Sequence, residues 1–162
     1  FLTPYLRNTL WEAGYALDTL ETAVPWSHVC QAKNSIIDSI TESATNRQLR
    51  LLVFGHLSHV YRTGASIYIT YLFRRSPIPD ENFEHWRDVK KAAIRAIIDQ
   101  NGTISHQHGI GTDHADYLGI EIGEIGIKFL EEAVEYFDPD GLMNSRVLIN
   151  TQGRKSPDND DK

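Results

Sequence analysis

The chain has 162 residues and a formal net charge of -6, with 16 Lys and Arg against 22 Asp and Glu. That length allows one domain with its own core, and the acidic balance without any lysine–arginine cluster excludes a nucleic-acid partner, since nothing would displace counterions from a phosphate backbone. A lone cysteine, Cys30, excludes an internal disulfide, and no segment approaches the roughly 20 apolar residues that span a bilayer, so a reducing, cytoplasmic setting is expected.

The opening Phe1-Leu2-Thr3-Pro4 has no initiator methionine, basic segment or apolar leader, which predicts a piece of a longer protein. Residues 4–14 carry Leu6, Leu10 and Trp11 at helical spacing between a capping Thr3 and a terminating Gly14, so residues 1–15 are expected to be a helix leading into the main domain. Residues 16–24 alternate and end at Pro25, as a strand does. Ser27 is placed to cap a second helix, whose Val29, Ala32, Ile36, Ile37 and Ile40 form one apolar stripe.

Residues 48–59 and 65–73 are rich in Leu, Val, Ile, Tyr and Phe and flank Tyr61-Arg62-Thr63-Gly64, which predicts a hairpin. A helix then starts at Asp80, with Phe83, Trp86, Val89, Ala93, Ile97 and Ile98 inward and Asn101-Gly102 as its stop. Residues 103–106 complete the order β-α-β-β-α-β. The expected class is α+β, a ferredoxin-like antiparallel sheet over residues 16–110 with both helices on one face. Residues 111–150 are expected to add carboxyl-terminal helices: a short one over 112–118, then a longer one over 121–137 with Ile122, Ile125, Phe129 and Val134 as its inner stripe. An extended stretch follows over 140–149, and the polar tail 151–162 is expected to be disordered.

The run Ser105-His106-Gln107-His108-Gly109-Ile110-Gly111-Thr112-Asp113-His114 concentrates imidazoles and glycines where a core would hold aliphatics. On a strand, His106 and His108 share a face and Gln107 takes the other. Gly109 and Gly111 admit positive φ and a close backbone approach to a bound group. His56 and His59 could join them as metal donors, but no cysteine or carboxylate completes the set at a recognisable offset, and no metal is assigned. Tyr68 and Tyr71, an odd number of positions apart, fall on opposite faces of their strand. Arg7, the cation of the first helix, suits a carboxylate or phosphate.

Taken in order, Tyr5-Leu6-Arg7-Asn8, Asp18 through Trp26, Tyr61 through Tyr68, Ser105 through Gly111, and Asp138-Pro139 through Arg146 resemble the carboxyl-terminal portion of the alkyldihydroxyacetonephosphate synthases. These are a branch of the FAD-linked oxidases of the vanillyl-alcohol-oxidase type. The resemblance runs from Tyr5 to about Ile149, nearly the whole chain. It implies a cap, or substrate, portion of a flavoenzyme whose FAD is bound mainly by an amino-terminal domain absent from this sequence, and it implies the ferredoxin-like core again. By that resemblance Tyr68, His106 and His108 are catalytic and Arg7 holds a substrate phosphate. Gly109, Gly111, Asn144 and Arg146 lie toward the cofactor, with residues 111–150 returning to the FAD domain. The implied partners are a small-molecule substrate, such as a phosphate ester or lipid alcohol, with peripheral membrane contact and a homodimer as further possibilities for the full protein.

In one place the chain departs from the family pattern. Gln107 stands where those enzymes carry the middle of three histidines, and a carboxamide cannot act as a general base near neutral pH, so Gln107 is assigned to substrate binding. The related 2-hydroxy-acid dehydrogenases, for D-lactate or glycolate, carry a glutamate beside the equivalent histidine and a metal-binding histidine pair. Tyr68 in place of one of that pair favours the synthase-like reading, with the dehydrogenase as the alternative. A third reading is a stand-alone metal- or ligand-binding module without catalysis.

Overall fold

The computed structural model describes residues 3–144 and 147–149, with side chains from Asn8 onward. The elements are α1 (Thr3–Glu12), β1 (Tyr15–Pro25), α2 (Val29–Asn46), β2 (Leu51–Val60), β3 (Gly64–Arg74), α3 (Pro79–Asp99) and α4 (Leu118–Phe137). The protein is α+β, and it divides into two compact units, Phe1–His108 and Gly109–Lys162.

In the first unit β3 is the middle strand of an antiparallel sheet ordered β1-β3-β2. Alternation along these strands separates two faces. Leu20 and Val24 of β1, Ile67, Ile69, Tyr71 and Phe73 of β3, and Val53 of β2 meet Val29, Ala32, Ile36 and Ile40 of α2 and Val89, Ala93, Ala96 and Ile97 of α3 in one core. Ile36 and Ile40 are fully buried, each worth about 2 kcal/mol of removed apolar surface. Gly55 lets Ile69 pack closely, since a Cβ there would stand 2.6 Å from Ile69 Cδ1 and that methyl would have to shift. The opposite face, turned away from α2 and α3, carries Leu17, Thr19 and Glu21 of β1, Ser66, Tyr68, Thr70 and Leu72 of β3, and Leu52, Phe54 and His56 of β2.

Several expectations change. The predicted fourth strand is a loop: Thr103 N donates to Ala23 O at 3.2 Å and His106 N to Glu21 O at 3.0 Å. Three residues on one side thus match two on the other, and Gln107 turns left-handed at φ 62, so no regular ladder continues. Ser27 does not cap α2. A 3-10 turn, Trp26–His28, precedes that helix, and the Ser27 hydroxyl instead meets His28 Nδ1 at 3.0 Å. On α3, Phe83 is exposed, while Lys90 and Ile94 take buried positions.

In the second unit the short helix over 112–118 is only a 3-10 turn, Ala115–Tyr117, and α4 is interrupted at Gly123, whose φ of 71 and ψ of 172 are not helical. The stripe expected to be inward on α4 is open, with Ile125 85% exposed and Phe129 also exposed. The stretch after α4 turns rather than extends: Asp138 Oδ1 and Oδ2 accept from Leu142 N and Met143 N, each at 2.9 Å, and Leu148 N donates to Gly111 O at 3.0 Å. The tail 151–162 lies outside the described residues. No helix of the described residues is long and apolar enough to cross a membrane.

Candidate functional site

Strand register builds the site on the face away from α2 and α3. Glu21 is directly opposite Tyr68, and Tyr68 is opposite His56, giving a row of three chemically active side chains across three strands. One row along, Thr19, Thr70 and Phe54 align, and beyond them Leu17, Leu72 and Leu52. Each row is two residues from the next, so the titratable row and the leucine row lie roughly 13 Å apart.

A β-bulge in β2 supplies the rest. Register shifts between Leu57 and Val60, so Ser58 and His59 together oppose Ser66. A bulge re-aims side chains that alternation would separate, and here both consecutive residues reach the same carboxylate. The Ser58 hydroxyl donates to Glu21 Oε1 and lies 2.7 Å from Ser66 Oγ, which also accepts from His59 N at 2.9 Å. His59 Nδ1 is 3.3 Å from Glu21 Oε1 and 3.2 Å from Ser66 Oγ.

The loop after α3 brings two more imidazoles. His106 Nδ1 stands 3.2 Å from Glu21 Oε1, and His108 Nε2 is 3.6 Å from Glu21 Oε2. The His106 contact is in ion-pair range without the alignment of a hydrogen bond, which leaves Nδ1 as a buried nitrogen facing a carboxylate. Its other nitrogen, Nε2, is 3.0 Å from the Tyr61 hydroxyl. The loop is seated by Thr22, whose hydroxyl donates to Thr103 O at 2.7 Å, and by Gly102, where a Cβ would come within 2.5 Å of Thr22 Oγ1.

The Glu21 side chain is only 2% exposed. Burial pushes its carboxyl up, yet hydrogen bonds from Ser58, Ser66 and His59 and the charge of His106 outweigh this and hold it below its ordinary value. A buried, ionised carboxylate thus stands among three imidazoles. Donor atoms of Glu21, His59 and His106 all lie within 4.8 Å of one another. Oε1 faces the Ser58 hydroxyl and the ring nitrogens of His59 and His106, and Glu21 is the carboxylate that the histidines lacked in the sequence.

Of the residues singled out in the sequence, Tyr68, His106 and His108 come together. The Tyr68 ring stacks on His56 at 5.4 Å and meets His108 edge-on at 5.4 Å. Tyr71 takes the helix side, opposite Tyr68 as expected. The strand argument that paired His106 with His108 does not hold, since that segment is a loop, but Glu21 gathers both. Gln107 is exposed. Gly109 and Gly111, in the second unit, have φ 76 and 55, with nothing within 4 Å of where a Cβ would stand. Asn144 is exposed at φ 48. His114 is a buried structural histidine, its Nδ1 3.2 Å from Ile110 O. The Arg7 side chain and Arg146 lie outside the described residues.

Sequence reasoning missed Glu21, Ser58 and Ser66. The available signal was a glutamate on the non-core side of a strand flanked by Leu20 and Thr22, both buried.

The sheet face of the first unit carries ring side chains and a carboxylate, groups of the kind that can stand beside the reactive end of a flavin. The described residues of the first unit present no glycine-rich turn at a helix start and no cluster of cations for a diphosphate.

The chain is 26% identical over 147 residues to the alkyldihydroxyacetonephosphate synthase of Trypanosoma brucei brucei, covering 90% of this chain and 24% of that protein. It is 29% identical over 91 residues to a D-2-hydroxyglutarate dehydrogenase of Stutzerimonas stutzeri (strain A1501), covering 56% and 18% respectively. A solved structure of an alkyldihydroxyacetonephosphate synthase superposes with a TM-score of 0.57 at 16% identity, covering 92% of this chain and 23% of that one, and so shares the fold. The chain spans about a quarter of the length of the synthases it matches. Residues 1–148 match the family described as FAD linked oxidases, C-terminal domain, and the chain belongs to that family.

Proposed function

We propose that this chain supplies the substrate-facing surface of an FAD-dependent enzyme like alkyldihydroxyacetonephosphate synthase. The observation that carries the reading is the gathering of Glu21, His59, Tyr68, His106 and His108 on the sheet face that α2 and α3 leave free. Tyr68, His106 and His108 handle protons at the reacting centre, with Gln107 and Arg7 toward the substrate. Gly109, Gly111, Asn144 and Arg146 belong toward the cofactor. FAD supplies the redox-active ring that protein side chains lack; the residues here bind, orient and move protons beside it.

The same face supports a lipid-like substrate. The row Leu17–Leu72–Leu52 offers an apolar floor two rows from the titratable one, with Thr19, Thr70 and Phe54 between them, so a polar reacting group can sit among the histidines while an alkyl chain extends over the leucines.

The test uses the full-length flavoenzyme with two substrate sets. Acyl-dihydroxyacetone phosphate plus a long-chain alcohol should give alkyl exchange, and a 2-hydroxy acid with an artificial electron acceptor should give no turnover. The reverse result establishes the dehydrogenase alternative, to which the D-2-hydroxyglutarate dehydrogenase similarity points. Turnover of neither set contradicts both.

A further inference from the structure

We propose that Glu21, His106 and Tyr61 form a carboxylate–imidazole–phenol relay in which the Tyr61 hydroxyl is the proton-transfer group presented to substrate. This rests on the reading of the face as a reaction surface; it adds Tyr61 to that site and gives Glu21 a defined role in it.

The geometry has the order such a relay needs. Glu21 Oε1 is 3.2 Å from His106 Nδ1, and His106 Nε2 is 3.0 Å from the Tyr61 oxygen. The acid end is buried, the His106 side chain is 17% exposed and Tyr61 is exposed, so access increases along the chain of groups. The contact at Nδ1 is electrostatic and not aligned as a hydrogen bond, and a carboxylate charge at this distance favours the Nδ1–H tautomer, leaving Nε2 as an acceptor for the phenolic O–H. A proton leaving the substrate then reaches the phenol oxygen while the phenol's own proton passes to Nε2. The resulting imidazolium holds its charge against Glu21, and the reverse transfer restores the resting state.

Tyr61 is held for this purpose. Its backbone N donates to Gly64 O at 2.8 Å, and its carbonyl accepts from Trp26 Nε1 at 3.1 Å, tying the β2–β3 turn to the end of β1. A Cβ at Gly64 would stand 2.1 Å from Val24 O, so that turn closes only on glycine. His59 stacks beside the Tyr61 ring at 6.4 Å and 14°. By contrast Tyr68 engages its neighbours through its ring faces and edges, and its hydroxyl makes no hydrogen bond among the described residues.

Glu21 acts through His106 and is a positioning residue; Tyr61 is the catalytic one. The test combines ring 1H–15N correlation spectra of His106 in the intact protein with steady-state kinetics of the full-length enzyme on whichever of the two substrate sets it turns over. The wild type should show Nδ1–H, and Glu21→Gln should move the proton to Nε2, because a carboxamide can donate to Nδ1. Glu21→Gln should cut kcat about 10²- to 10⁴-fold with KM changed less than about threefold, Tyr61→Phe about 10²-fold, and the double variant no more than the worse single. FAD content and circular dichroism confirm folding, and Glu21→Asp should regain part of the rate. A wild-type Nε2–H tautomer, full kcat in Tyr61→Phe, or additive losses would overturn the relay. If neither substrate set is turned over, the functional reading fails, while the tautomer spectrum still decides for or against the relay.

Discussion

Two carboxylates three residues apart on β1 end up on opposite faces of the same sheet with opposite surroundings. Asp18 faces the helices, where its Oδ2 accepts from Trp86 Nε1 at 2.7 Å, Lys90 Nζ at 2.9 Å and Tyr71 OH at 3.0 Å. Glu21 faces away and meets two serines and three imidazoles. Burial pushes both carboxyls up and polar partners pull both below their ordinary values. The difference lies in the partners. A lysine and an indole hold fixed roles at every working pH, so Asp18 serves the fold, whereas imidazoles as a class can exchange protons near neutrality, which is what the proposed function asks of the groups around Glu21.

That contrast can be broken from the structural side first. Lys90→Met leaves Asp18 as a largely buried charge beside Trp86 and Tyr71, and it should destabilise the protein by about 3 kcal/mol in urea unfolding while activity per folded molecule stays near wild type. Gly102→Ala is expected to cost less, about 1–3 kcal/mol, because its Cβ would press on Thr22 Oγ1 at the seat of the histidine loop; it should also slow turnover by shifting His106.

Acid sharpens the same comparison. Each folded carboxyl titrates below its ordinary value, 3.8 for Asp18 and 4.5 for Glu21, so their contribution to stability is full above those values and is lost as pH falls through the lower folded ones. The urea midpoint should therefore hold steady between about pH 7 and 5.5 and decline below about 4.5, with a shallower decline in Asp18→Asn. The smallest effect belongs to α4. Ile125→Gln, at a side chain 85% exposed, should change stability by less than about 0.5 kcal/mol in this chain.

Alternation and turn chemistry made most of the first unit legible. Period-two patterning put Tyr68 and Tyr71 on opposite faces, helical spacing located α2 and α3, and Asn101-Gly102 marked where α3 ends. The site was legible only in part, because its assembly depends on two irregularities that simple periodicity cannot carry. The bulge at Ser58 and His59 turns two successive side chains the same way, and the left-handed Gln107 breaks the strand that had paired His106 with His108. Glu21 was visible as a non-core glutamate, but its role appears only when long-range pairing brings β2 and the loop after α3 around it. On α4, the apolar stripe was read correctly as a pattern, yet a pattern does not say what covers it, and Ile125 and Phe129 are exposed.

The most direct measurement is kcat per folded, FAD-loaded molecule for Glu21→Gln beside Asp18→Asn in the full-length enzyme. A sheet whose two faces divide structure from chemistry predicts a loss of at least about 10²-fold in kcat per folded molecule for Glu21→Gln, and near wild-type kcat per folded molecule with a lowered midpoint for Asp18→Asn. Equal activity in the two variants would contradict it.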